Sequence, residues 1–154
     1  MRISKDNPFY YLTSTANNRL PVFRTDKLKE ITANALGEAR KSAGILIFAY
    51  VIMPDHYHLI KENNFESSLE KLRQETKKRE YKYSLWEHHP NAFSLNTEAT
   101  LMQKVNYIHQ NPVRGKLAEK AEDYLYSSGR IWRKCEIENE PLPVDVDKIA
   151  WREA

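Results

Sequence analysis

Two histidines separated by one residue, His56 and His58, are the first feature of this sequence that could do chemistry. On a β-strand, residues two apart leave the same face, so both imidazoles can meet one metal ion while Tyr57 points the other way. A His-x-His pair met at random is more often two solvated or hydrogen-bonded histidines. Here the pair directly follows Met53-Pro54-Asp55 and the apolar run Ile45 to Met53. It therefore falls inside a sheet, where unpaired imidazoles are costly to bury, and that context favours a site. A second constellation is Tyr107 with Asn111. Leu101, Val105 and Ile108 line one face of a helical pattern, and Thr100, Gln103, Lys104, Tyr107 and Asn111 occupy the adjacent flank. Residues four apart are helix neighbours, so a phenol and an amide oxygen face one point in space. Singly, each has an ordinary reading: Tyr107 as an aromatic over the edge of the core, Asn111 as a cap before Pro112.

The elements that must hold these groups follow from periodicity. Phe9 to Thr15, led in by Pro8, reads as a strand, and Asn17-Asn18-Arg19 as a loop. Asp26 caps a helix to about Lys41, with Leu28, Ile31, Ala35, Leu36 and Ala39 as its apolar stripe and Gly44 as its stop. Ile45 to Met53 reads as a central strand, Pro54-Asp55 as a tight turn, and His56 to Lys61 as an alternating strand. Ser67 with Glu70 resembles a capping box opening a second helix to about Tyr83. A short strand over Ala92 to Leu95 precedes a third helix, from Thr97 or Glu98 to Gln110, ended by Pro112. This order predicts an α+β domain of the split βαβ type, an antiparallel sheet with helices on one face and the other face open to a ligand.

Composition bounds the function. A chain of 154 residues with 41% hydrophobic residues, four Gly and seven Pro forms one folded domain, which excludes disordered and repetitive scaffolds. The longest apolar run is far short of the ~20 residues that span a bilayer. The start, Met1-Arg2-Ile3-Ser4-Lys5-Asp6, lacks a secretory h-region, and Cys135 has no disulfide partner and no activating base. A cytoplasmic protein without a membrane partner is expected. The net charge of +3 is a weak hint of a polyanion, sharpened by Lys71, Arg73, Lys77, Lys78, Arg79 and Lys82 crowding around Tyr81, Tyr83 and Trp86. Beyond Ser128 the chain becomes charged, so residues 1–132 are read as the domain and 133–154 as a charged C-terminal tail.

Two segments carry a resemblance: Val51-Ile52-Met53-Pro54-Asp55-His56-Tyr57-His58-Leu59-Ile60 and Asn106-Tyr107-Ile108-His109-Gln110-Asn111-Pro112-Val113-Arg114-Gly115. With Glu122-Asp123-Tyr124-Leu125-Tyr126-Ser127-Ser128 they resemble, in this order, the signature blocks of single-tyrosine HUH transposases, the REP-associated and insertion-sequence-200-like group. The similarity spans about Phe9 to Trp132. It implies a ferredoxin-like HUH endonuclease domain acting on single-stranded DNA with hairpins, with His56 and His58 as metal ligands, Tyr107 as nucleophile and Asn111 as third ligand. Tyr57, Ala16 and Lys61 depart from the family pattern at positions that bear on packing and DNA contact.

The implied reaction makes physical sense of the residue types. A free phenol, with a pKa near ~10, is a weak nucleophile and needs a polarised, well-aligned phosphate. Attack leaves a 5′-phosphotyrosine and a free 3′-OH, and the ester keeps the energy needed for rejoining. By ligand softness two imidazoles and an amide suit Zn²⁺, Ni²⁺ or Mn²⁺, whereas the family implies Mg²⁺ or Mn²⁺. Lys104, Arg114 and Lys116 are candidate phosphate contacts, joined by Lys77, Lys78 and Arg79 as a groove for a hairpin stem. His109, His88 and His89 are read as structural or DNA-proximal. The competing reading is a non-enzymatic single-stranded nucleic-acid binding module on the same sheet, and a homodimer that shares its sites is an arrangement the family permits.

Overall fold

The structure, a computed structural model, describes residues 3–16, 21, 23–62 and 91–149. Aromatic and β-branched segments become the strands β1 (Phe9–Thr15), β2 (Ile47–Ile52), β3 (His56–Lys61) and β4 (Asn91–Leu95). Helices α1 (Asp26–Ala43), α2 (Glu98–Arg114) and the short α3 (Gly129–Trp132) accompany them. The strands form one antiparallel sheet in the order β2-β3-β1-β4, the ferredoxin-like arrangement, with the histidine strand inside it. Met53 N donates to His56 O at 2.8 Å and closes the Pro54-Asp55 turn, so the histidine pair opens β3 directly from a hairpin.

Cross-strand partners share a face. Thr15 opposes His56, Thr13 opposes His58, and Tyr11 opposes both Ile60 and Phe93, while Val51 flanks His58 from β2. The opposite face carries Leu12, Ser14, Tyr57, Leu59 and Lys61. Leu12, Ser14, Leu59 and Lys61 are buried on that face. Burial of its apolar side chains Leu12 and Leu59 contributes to the stability of the sheet. Burial drives the Lys61 amine down to about 8, against the opposing pull of Glu62.

Helix α1 differs in detail from its sequence reading. Thr25, not Asp26, is the cap, its hydroxyl accepting from Leu28 N at 3.3 Å, and the helix runs on to Ala43 before Gly44 takes a left-handed φ of 64°. Its buried residues are Lys29, Ala33 and Leu36, whereas Leu28 and Ile31 of the expected stripe are exposed. Lys29 buries its methylene stem and lays its amine 5.9 Å from the Tyr126 ring centroid, so a long cationic side chain substitutes for an apolar one.

Helix α2 does not stop at Gln110. It continues through Asn111 and Pro112 to Arg114, because Pro112 is fully buried and completes the stripe of Leu101, Val105 and Ile108. Packing outweighs the ~3 kcal/mol that an interior proline costs. The segment after α2 seals the outer edge of β2. Ile52 N donates to Tyr126 O at 2.9 Å, Ser128 N to Tyr50 O at 3.0 Å, and the Tyr124 hydroxyl to Ile52 O at 2.6 Å. Further on, Leu142 and Ile149 lie in the same buried core, and Asp145 accepts from Ile47 N at 3.0 Å while pairing with Arg40.

Candidate active site

Alternation along β3 puts both imidazoles over one sheet face, their ring centroids 4.7 Å apart and their planes at 77°. Each ring is held at Nδ1. His56 Nδ1 lies 2.5 Å from Asp55 Oδ1, and His58 Nδ1 lies 2.8 Å from the Tyr11 hydroxyl and 2.9 Å from Thr13 Oγ1. A protonated Nδ1 donating to these oxygens directs the lone pair of each ring to Nε2, the arrangement that suits an imidazole as a metal ligand. The donor set therefore fits a divalent ion. Among the described residues no group of three His, Cys, Asp or Glu side chains is placed to hold a metal ion.

Helix α2 lies over this same face. The ring of Tyr107 stands 5.7 Å from that of His58 and 6.5 Å from that of Tyr11, edge-on to both. The two phenols differ in access: Tyr11 is 4% exposed and Tyr107 is 44% exposed. Burial raises the Tyr11 hydroxyl above its ordinary range, with Tyr107 adding to this and Thr13 and Arg114 opposing it, so Tyr11 stays a neutral partner of His58. Tyr107 is the phenol that a substrate can reach.

Cations bracket that phenol. Arg114 sets its guanidinium carbon 4.4 Å from the Tyr107 ring centroid and donates to the Tyr107 carbonyl at 2.9 Å. Lys104, one turn earlier, has its amine 5.6 Å from the Tyr107 ring and 5.1 Å from the Tyr11 ring. Asn111 is half-buried one turn after Tyr107, and the extension of α2 past Pro112 keeps the two as helix neighbours. Among the described residues no side-chain hydrogen bond joins Asn111 to His56, His58 or Tyr107. Lys116 is exposed just beyond the helix with a left-handed φ of 59°. Lys77, Lys78 and Arg79, like His88 and His89, lie outside the described residues.

His109 is structural. It is buried, its Nε2 is 2.8 Å from Ser128 Oγ, and burial together with Arg133 lowers its pKa to about 4. Sequence reasoning did not single out Asp55, Tyr11 or Thr13 as partners of the histidines. Asp55 was within reach as the residue adjoining His56, whereas Tyr11 and Thr13 become visible only through the β1–β3 register.

Residues 5–94 match the sequence profile of the family described as "Transposase IS200 like". The chain belongs to the IS200-like transposase family. The matched stretch includes the histidine pair of this family member and ends before Tyr107. A solved REP-associated tyrosine transposase bound to a REP hairpin has the same fold, at a TM-score of 0.65 and 18% identity over 94% of this chain and 89% of that one. A candidate transposase from Deinococcus radiodurans R1 aligns with 18% identity and a TM-score of 0.44, over 68% of this chain and 90% of that one. No curated protein sequence matches the chain. Membership makes the protein a transposase, a DNA-cleaving enzyme of the HUH type, and such enzymes generally work with a divalent metal. No helix among the described residues is long and apolar enough to cross a membrane.

Proposed function

We propose that this transposase cuts and rejoins single-stranded DNA through Tyr107, with His56, His58 and Asn111 holding a divalent metal, Mg²⁺ or Mn²⁺. The observation that carries the reading is the exposed Tyr107 ring standing 5.7 Å from a histidine whose Nδ1 is already engaged. When bound, the metal would polarise a non-bridging phosphate oxygen and align the scissile group. The chain's own residues do the rest. Tyr107 gives up its phenolic proton and bonds to phosphorus, the P–O3′ bond breaks, and the departing oxygen takes a proton to become a 3′-OH. Because one phosphate ester replaces another, an incoming 3′-OH reverses the step without ATP. Arg114 and Lys104 lie near the Tyr107 ring and offer positive charge to the strand, with Lys116, Lys77, Lys78 and Arg79 as further phosphate contacts. The hairpin bound by the REP-associated relative supports a hairpin-bearing substrate.

The test is a covalent adduct between the protein and labelled hairpin-bearing single-stranded DNA, resolved under denaturing conditions. Wild type forms it only with divalent metal present. Tyr107→Phe keeps the fold and the DNA affinity and forms none. Adduct formation by Tyr107→Phe, or by wild type in chelator, refutes the assignment, and recovery of activity on mixing Tyr107→Phe with His56→Ala identifies a site shared between two copies.

A further inference from the structure

Phe93 lies in the middle of β4, directly opposite Tyr11 of β1, and is 56% exposed. It is the most exposed of the large hydrophobic side chains among the described residues. It belongs to the sheet face that carries the histidine pair, and its ring is 6.2 Å from that of Tyr11 at a tilt of 33°. Tyr11 in turn touches His58 and stands edge-on to Tyr107. A continuous aromatic floor therefore runs from the nucleophile outward to the rim of the sheet. Tyr11, in its middle, is covered, while Tyr107 and Phe93 at its two ends are exposed. Lys104 stands over Tyr11, the middle of that floor, with its amine 5.1 Å from the ring centroid.

An exposed phenylalanine next to the Tyr11 ring, over which Lys104 stands, suits a ligand with a flat apolar face and a negative charge close by. A nucleotide has both. Aromatic side chains on an open sheet surface stack bases of single strands irrespective of sequence, while adjacent cations hold the phosphates. We infer that Phe93 is a stacking platform for a nucleobase of the DNA strand flanking the scissile phosphate, with Lys104 holding the neighbouring phosphate. This rests on the single-strand reading above and adds a binding contact that the catalytic groups do not supply.

The test uses oligothymidylate and an abasic oligonucleotide of the same length and backbone, titrated against the full chain at one fixed salt concentration. Wild type should bind oligothymidylate more tightly, by about 5- to 100-fold, the range for one stacked base. Phe93→Ala should lose that preference while keeping its affinity for the abasic strand. Phe93→Leu keeps an apolar side chain and should lose it too, which separates stacking from simple packing of β4. Phe93→Trp should keep it and show extra fluorescence quenching, relative to wild type, with oligothymidylate alone. A wild type that prefers oligothymidylate equally well after Phe93→Ala overturns the platform and leaves the single-strand reading intact. A wild type that binds neither strand overturns both. Loss of self-association in Phe93→Ala with unchanged base preference assigns the face to a second copy of the chain and overturns the platform as well.

Discussion

Burial of His109 makes the stability of this transposase depend on pH in a window that can be worked out in advance. The imidazole is enclosed between α2, Ser128 and Trp132, whose ring centroid is 6.2 Å away, and burial with the nearby Arg133 charge holds its pKa at about 4. In the unfolded chain a histidine titrates near ~6.5. Between these values the unfolded state binds a proton that the native state does not, so native stability falls as pH drops below about 6.5 and levels off below about 4. Each unit of separation is worth ~1.4 kcal/mol, so about 2 kcal/mol is lost by pH ~5 and about 3 kcal/mol in full. Chemical denaturation of wild type and His109→Gln at neutral pH and at pH ~5 measures this term by difference, since every other titrating group is common to both proteins. The variant should lose about 2 kcal/mol less than wild type on acidification. Equal losses would refute the claim that a neutral, buried His109 is built into the fold.

Three further outcomes are expected. Asp55→Ala frees His56 Nδ1, and the double change Tyr11→Phe, Thr13→Val frees His58 Nδ1; each should weaken Mn²⁺ binding by about 10- to 100-fold in calorimetric titration, with the fold retained. Asp145→Ala leaves Arg40 unpaired and Ile47 N without its acceptor, and should lower the unfolding free energy by about 3 kcal/mol or more in denaturant titration. Arg114→Gln removes the cation lying on the Tyr107 ring and should slow adduct formation a few-fold at saturating DNA, in line with ~0.5–1 kcal/mol for a partly exposed cation–π contact.

What the sequence made legible was local. The alternation of His56 to Lys61 set the strand to its true bounds, and the Pro54-Asp55 turn follows from residues in direct succession. Pairing of distant segments was not legible. Nothing in Tyr11 or Thr13 announces His58, because that meeting depends on β1 lying next to β3 in one register. Pro112 was read by its local penalty, and the buried stripe that offsets it appears only when α2 packs on the sheet. Likewise α1 buries Lys29 in place of Leu28, and the Tyr126 ring that its amine approaches comes from a segment about 100 residues further along the chain. The relation of Tyr107 to Asn111 was read from spacing, and α2 keeps it helical through Arg114.

The contact between His109 and Ser128 also anchors the helix that carries Tyr107. His109 lies two residues beyond Tyr107, roughly 200° around the helix at ~3.6 residues per turn, so it grips the far side of α2. Ser128 Oγ, 2.8 Å from His109, also accepts from Tyr50 N of β2 at 3.0 Å. The rotational setting of α2 about its own axis is thus fixed from behind by a strand adjacent to the histidines. A tyrosine oxygen sits some ~8 Å from the helix axis, so a roll of only ~10° would sweep it sideways by more than ~1 Å, a displacement that can cost ~100-fold in rate. The buried imidazole acts as a torque stop for the proposed nucleophile, and the sheet that orients His56 and His58 serves as the common reference for both halves of the proposed site.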